Sequence, residues 1–332
     1  MRRLILAALL GLSLAPAATA QAACEGTDLR QTLSAGERAE LDALIADMPY
    51  ATGNHWRAEK DGEVIHLVGT MHLSDPRLDG PVDRLRPVIA EAGALLLEMP
   101  QAEQAKLIGA MSDRPELLLL TDTTLPELMP EDDWQALVAA AKARGIPGVM
   151  AAKFRPWYLS MMLALPACAQ AAMQEQNGLD VRLEALADEA GVPTLPLEPF
   201  DTAFGIFNAA PLEEQIEMMS MALATEDQGE DGMATTVAAY FDERPGEMWA
   251  LSGILMKRSG GFAPGEAEAL IAETNEALLA SRNRAWLPVI LEAAATTEGP
   301  VIAAFGAAHL PGPEGVARLL EEDGFTLTRE PF

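Results

Sequence analysis

The sequence predicts an α/β fold in which a central mixed sheet carries a large, mostly helical insertion. Three observations point there. Short aliphatic or alternating runs gather near the two ends of the chain, at residues 54–69, 94–99, 300–306 and 325–330. Helical patterning fills the middle, from about 101 to 295. No linker is long or polar enough to separate two independent domains. At 332 residues and 49% apolar content, the chain is long enough to bury a full core.

The chain opens MRRLILAALLGLSLAPAATAQAAC. Two arginines, an apolar run from Leu4 to Leu14 and the small residues Ala18-Thr19-Ala20 read as a secretory leader over residues 1–20, leaving 21–332 as a single domain. That apolar run is too short to cross a bilayer as a permanent helix, and no later stretch reaches the roughly 18 apolar residues a span needs. The mature protein is therefore expected to be soluble and exported, periplasmic or secreted. Cys24 sits where a lipoprotein carries its lipidated cysteine, but Gln21 occupies the position where an aliphatic residue is expected, which argues against lipid anchoring. The only other cysteine is Cys168. In an oxidising compartment two cysteines read as one disulfide, with two unrelated thiols as the alternative, because spacing does not fix the Cα separation.

A helix is predicted over 28–47. Asp61-Gly62 between two alternating runs predicts a hairpin pairing 54–60 with 63–69. A helix over 80–92 leads into ALLLEM at 94–99, an aliphatic run of the kind buried on both faces, which puts Glu98 at a strand's C-terminal end. Pro130-Glu131-Asp132 opens a helix with acids in its first turn, and Pro156 opens another. Further helices are predicted near 180–190, 211–224, 232–242, 264–280 and 282–296, interrupted by one strand, VPTLPLE, at 192–198. The strand PVIAAFG, a helix over about 313–323 and the strand FTLTRE complete the chain.

The formal net charge is −27, and loss of Arg2 and Arg3 with the leader makes it more negative by two. Such a field repels phosphate backbones and anionic lipid, arguing against nucleic-acid and membrane-surface partners. The carboxylates themselves read as a solvated surface.

Two stretches carry the chemistry: VIHLVGTMHL at 64–73 and VIAAFGAAHL at 301–310. In each, an aliphatic strand runs into a glycine, Gly69 or Gly306, and a histidine, His72 or His309, follows three residues on. Glycine there is expected to let the backbone leave the sheet through dihedrals that other residues avoid. Each histidine would then stand past a strand's C-terminal end, where open α/β sheets bind ligands. With Glu98 from a third strand, two imidazoles and one carboxylate suit Zn²⁺, Mn²⁺, Co²⁺ or Fe²⁺ with positions open for water or substrate. One GxxH arises readily by chance in a chain with 26 glycines and four histidines. Two copies, each preceded by Val-Ile and followed by Leu at the same spacing, do not. Either histidine could instead be a loop residue bonded to backbone.

The ordered set GTMH, Glu98 closing ALLLE, NGLD at 177–180, LEP around Glu198, RNRAW at 282–286 and GAAHLPGPEGVARLLEEDGF at 306–325 resembles the TraB/GumN family. That family is related to the Tiki proteins and belongs to a wider group with haem-binding ChaN-like proteins and erythromycin esterases. Cys24 followed by Gly26 and Leu29, and Cys168 after a Pro-Trp helix, also resemble its exported bacterial members. The resemblance spans almost the whole mature chain and implies a ChaN/erythromycin-esterase-like fold. It further implies that the GxxH histidines and the early glutamate form an essential triad, which in Tiki members serves metal-dependent proteolysis favouring Mn²⁺ or Co²⁺. Carried over, His72 and His309 would be ligands and Glu98 a ligand or the general base.

The expected chemistry is a metal-bound water of lowered pKa attacking a carbonyl that the metal polarises, with Glu98 taking the proton if it is not a ligand. Arg282 would stabilise the oxyanion or hold a substrate carboxylate, or else pair at the surface with one of the many acids. Asn177, Asp180 and Asn283 are candidates to support the ligands, and Asp180 is alternatively a helix cap. The function these readings support is an exported metal-dependent hydrolase of peptides or proteins. The alternative is a non-catalytic haem- or iron-binding protein, or an envelope or polysaccharide-export accessory factor, on the same fold.

Other signals are weaker. His55 and His66 read as hydrogen-bonded structural histidines. Met161, Met162, Met218, Met219 and Met221 lie in helical apolar runs and read as packing or a greasy groove rather than copper ligands. Ser74-Asp75 lacks a nucleophile-elbow setting, and there is no glycine-rich phosphate loop. Glu184 and Glu198 read as ordinary acids, although Glu198 also ends a strand and could face the same rim.

Overall fold

The structure is a computed structural model that describes residues 24, 26–224, 228–259 and 265–332. The leader read over residues 1–20 lies outside these. Six strands, β1 (His55–Lys60), β2 (Glu63–Thr70), β3 (Ala94–Leu97), β4 (Thr194–Pro196), β5 (Val301–Gly306) and β6 (Thr326–Arg329), form one mixed sheet in the order β4-β3-β5-β2-β1-β6. The predicted class is the observed one. β1 and β2 form the hairpin expected from Asp61-Gly62, and both turn residues have positive φ, as a two-residue type I′ turn requires. β2, β5, β3 and β4 run parallel, so four neighbouring strands end on the same rim of the sheet. β6 closes the far edge antiparallel to β1.

Helices cover both faces, so β3 and β5 are apolar on both sides. On one face the Ser281–Thr296 helix packs Trp286 and Ile290 against Leu67, Leu96 and Phe305. On the other, the Asp79–Glu91 and Leu179–Ala190 helices pack Leu85, Ile89 and Leu183 against Val68, Leu95 and Ile302. Residues 179–196 and 281–296 return to the sheet, whereas the helices between 120 and 163 build a second core with Met219 from the Leu212–Ala224 helix. Of the methionines predicted to pack, Met161, Met218 and Met221 are exposed to solvent instead.

The helix predicted over 28–47 is two elements, a 3₁₀ turn at Leu29–Thr32 and a helix at Ala35–Ala46, because Ser34 and Glu37 form a capping box that starts the second. Cys24 and Cys168 are joined in a disulfide with a Cα separation of 5.3 Å, closing a loop of 144 residues. A loop of that size stabilises through the unfolded chain's lost freedom by about 2–5 kcal/mol. No described helix is long and apolar enough to cross a membrane.

Candidate active site

Each of the four parallel strands delivers one polar side chain just beyond its C-terminal end: His72 after β2, His309 after β5, Glu98 after β3 and Glu198 after β4. Arg282, in the first turn of the Ser281–Thr296 helix, reaches into this row. Its Nη2 donates to Glu98 Oε2 and to Glu198 Oε1, both at 2.6 Å, and its Nε donates to Glu198 Oε2 at 3.1 Å. Its Nη1 donates to the Leu278 carbonyl at 3.2 Å and faces His309 Nε2 at 3.3 Å. A guanidinium carries five N–H donors, and all five are engaged within the protein. Arg282 is therefore not the free oxyanion or carboxylate donor expected of it: it is part-buried and holds Glu98 and Glu198 in place. The five-residue π-helical stretch Glu276–Ala280 immediately before it adjusts the register with which Arg282, Asn283 and Trp286 face the rim.

The rest of the cluster is equally built. Glu98 Oε1 accepts the Gly306 amide at 2.5 Å. His309 Nδ1 lies 2.6 Å from Asn283 Oδ1, which fixes that nitrogen as the N–H and Nε2 as the lone pair facing Arg282. Asn283 spends its own Nδ2 on the Glu314 carbonyl at 2.8 Å. The buried Trp286 donates Nε1 to Glu198 Oε2 at 2.9 Å, and its ring lies under both Arg282 and His309. His72 is the exposed member, with 56% of its side chain accessible, and its Nδ1 stands 3.2 Å from Asp180 Oδ1. That approach lacks hydrogen-bond alignment, so Asp180 Oδ1 has no bonded partner, and neither does Thr70 Oγ1. Both line the small cavity that His72 and Glu98 also wall.

Electrostatics divides the two histidines. The Asp180 carboxylate raises His72 to about 9, so it is an imidazolium at neutral pH. Burial lowers His309 to about 4, so it is neutral. Burial opposes ionisation of Glu98, but the His309 ring, the Arg282 guanidinium, His72 and the Gly306 amide together hold it below the usual carboxylate value.

Neither glycine of the two GxxH stretches acts through unusual dihedrals, and only Gly69 is required for its size. Neither Gly69 nor Gly306 has a positive φ. A Cβ at Gly69 would stand 2.9 Å from Ala307 and from Leu310, so the first stretch needs glycine to pack against the AAHL of the second. Gly178 of NGLD does the same for His72, since a Cβ there would stand 2.6 Å from the His72 backbone. Gly178→Ala is thus expected to displace the His72 loop at a cost of about 1–3 kcal/mol, read by thermal denaturation together with loss of the native His72 NMR signal.

Other predicted residues divide. Asp180 Oδ1 stands beside His72 Nδ1, and Asn283 Oδ1 bonds His309 Nδ1. Asn177 is exposed, and its carbonyl, not its side chain, is engaged, by Arg182 Nε at 3.0 Å. The Ser74 hydroxyl donates to Glu175. Sequence reasoning missed Trp286, one turn beyond Arg282 in RNRAW, and Tyr240, whose hydroxyl donates to the Gly69 carbonyl at 3.0 Å. Tyr240 lies 171 residues from Gly69 and carries no local signal.

Among the described residues, no three His, Cys, Asp or Glu side chains are placed to hold a metal ion. His72, His309 and Glu98 share the rim, but the Arg282 guanidinium stands between Glu98 and His309 and faces the one lone pair His309 has to offer. As arranged, the expected two-histidine, one-carboxylate centre does not fit Mn²⁺, Co²⁺, Zn²⁺ or Fe²⁺.

A family model described as TraB/PrgY/gumN matches residues 54–329, from the hairpin to the last strand. The chain belongs to the TraB/PrgY/gumN family. The match encloses all the TraB/PrgY/gumN-like stretches at the rim, from GTMH to GAAHL. A comparison with curated proteins finds no match.

His55 and His66 form a buried pair away from this rim, Nε2 to Nδ1 at 3.0 Å, with His55 Nδ1 on the Pro331 carbonyl. Burial is the main cause that lowers His66 to about 4. His66 and His309 therefore favour the folded state fully above the ordinary value of 6.5, and that contribution is lost as pH falls toward 4. His72 works in the opposite sense. Its contribution is complete below 6.5 and is lost as pH rises through about 9. Thermal unfolding across pH should peak near 6.5, and His72→Gln should flatten the alkaline limb alone. A peak shifted to the alkaline side would contradict these assignments.

Proposed function

We propose that the chain is an exported hydrolase that cleaves peptide or protein substrates at the rim where His72, Glu98, His309 and Arg282 meet. The observation that carries this reading is the placement of the solvent-accessible His72 and the part-buried Glu98 around one small cavity. Groups whose environments drive their protonation states apart are the acid and base of many hydrolytic sites. Glu98 accepts a proton from a water held in the cavity as that water attacks the scissile carbonyl. The cationic His72 stabilises the developing oxyanion and supplies a proton to the leaving amine. His309 and Arg282 are positioning residues that hold Glu98 at its angle. Export is supported by the leader-like start and by the disulfide, which persists in oxidising compartments. The haem-binding alternative has less support, because both His309 nitrogens are engaged within the protein.

The test is digestion of a degenerate peptide library by purified protein, read by mass spectrometry. It is run after chelation and again with added Mn²⁺, Co²⁺ or Zn²⁺. Cleavage after chelation that disappears in Glu98→Gln supports the reading. Cleavage only with added metal would mean that Arg282 yields its place to an ion. No cleavage in any arm would contradict hydrolysis of peptides.

A further inference from the structure

Thr70, the last residue of β2, has only 3% of its surface exposed, and no step of the proposed reaction uses it. Its hydroxyl has no hydrogen-bonded partner among the described residues, and neither has Asp180 Oδ1. A buried hydroxyl left unpaired is costly, and folded proteins rarely keep one without a reason. Valine has nearly the same shape and would carry no such cost.

Both residues line the cavity that His72 and Glu98 also wall, and its volume is about 10 Å³, room for one water. The sheet register brings them together. Thr70 lies opposite Gly306 across the β2–β5 pairing, and the Gly306 amide is the donor to Glu98 Oε1. Thr70 and Glu98 therefore flank the same backbone unit from the two strands beside β5. Asp180 enters from the first turn of the Leu179–Ala190 helix, where the Leu179 amide donates to the carbonyl of Met71, the residue after Thr70, at 2.9 Å.

Counting donors and acceptors assigns the roles. A buried water bonds to two to four polar groups, and ionised carboxylates only accept. Glu98 uses one acceptor position of each oxygen, on Gly306 and Arg282, and keeps others free. A water in the cavity can donate one hydrogen to Glu98 and the other to Asp180 Oδ1, while the Thr70 hydroxyl donates to its oxygen. One lone pair then remains for attack.

We propose that Thr70, together with Asp180, holds the attacking water against Glu98. The inference rests on the hydrolysis proposed above, and the bonds are those of that reaction. The water oxygen joins the carbonyl carbon as one of its protons passes to Glu98, and the carbon–nitrogen bond breaks as His72 protonates the leaving amine. The Glu98 proton and that of the new carboxylic acid then restore His72 and leave the product amine as ammonium. Thr70 keeps its own proton throughout and fixes the direction of the attacking lone pair.

The test joins crystal structures of the whole mature protein, at a resolution that shows ordered water, to cleavage rates on one peptide, for the parent, Thr70→Val and Thr70→Ser. A water bonded to Thr70 Oγ1 and a Glu98 oxygen is expected in the parent, retained in Thr70→Ser and lost in Thr70→Val. In Thr70→Val kcat should fall roughly tenfold or more with KM within about twofold and the unfolding temperature preserved, and Thr70→Ser should recover most of the rate. A threonine that served packing alone would lower stability and leave kcat in place. Where Thr70→Val does not fold, the parent crystal decides. A parent that holds this water yet cleaves no peptide supports the water site and contradicts peptide hydrolysis. No water on Thr70 in the parent, the same water kept in Thr70→Val, or an undiminished kcat in that variant would overturn the proposal.

Discussion

Arg282→Ala is expected to lower stability by about 3–5 kcal/mol, because it leaves Glu98 and Glu198 buried without their cation. Under the proposed hydrolysis, cleavage should fall by about 10²-fold or more, since a carboxylate displaced by as little as about 1 Å would no longer meet the attacking water. Arg282→Lys is no rescue. An ammonium has three donors and no planar fork, so it cannot serve two carboxylates, the Leu278 carbonyl and His309 together. Denaturant unfolding and turnover of the same preparations check both statements. An Arg282→Ala protein as stable as its parent would mean that the guanidinium does not hold the rim.

Glu98→Gln is expected to separate chemistry from structure. The amide keeps the shape and an acceptor for the Gly306 N–H but loses the charge and the basicity. Peptide cleavage should drop by roughly 10²–10⁴-fold, the range a positioned base contributes. His72→Gln should show a comparable loss of cleavage. Rates measured on one peptide that the parent cleaves, beside matched circular dichroism, distinguish these outcomes. Retained cleavage in Glu98→Gln would assign the base elsewhere.

The frame of the fold was legible because its signals are local. Asp61-Gly62 announced the hairpin, and the aliphatic runs at 94–97 and 301–306 announced strands buried on both sides. The strand ends also placed His72, His309 and Glu98 on one rim. What the sequence could not show is long-range. That Arg282 stands between Glu98 and His309 depends on how the Ser281–Thr296 helix crosses the sheet, and helical periodicity does not say which strand end a helix covers. The glycine reading failed for the same reason: the constraint at Gly69 comes from Ala307 and Leu310, more than 230 residues away. Glu198 carried the same strand-end signal as Glu98, but a single acid at the end of a short edge strand was too common a pattern to single out.

The most direct test of the site is the titration of its two histidines by NMR on ¹³C-histidine-labelled protein, with the four imidazoles assigned by single His→Gln variants. The account predicts His72 titrating near pH 9 and His309 near pH 4 in the same folded molecule. Both rings titrating together near 6.5 would contradict it.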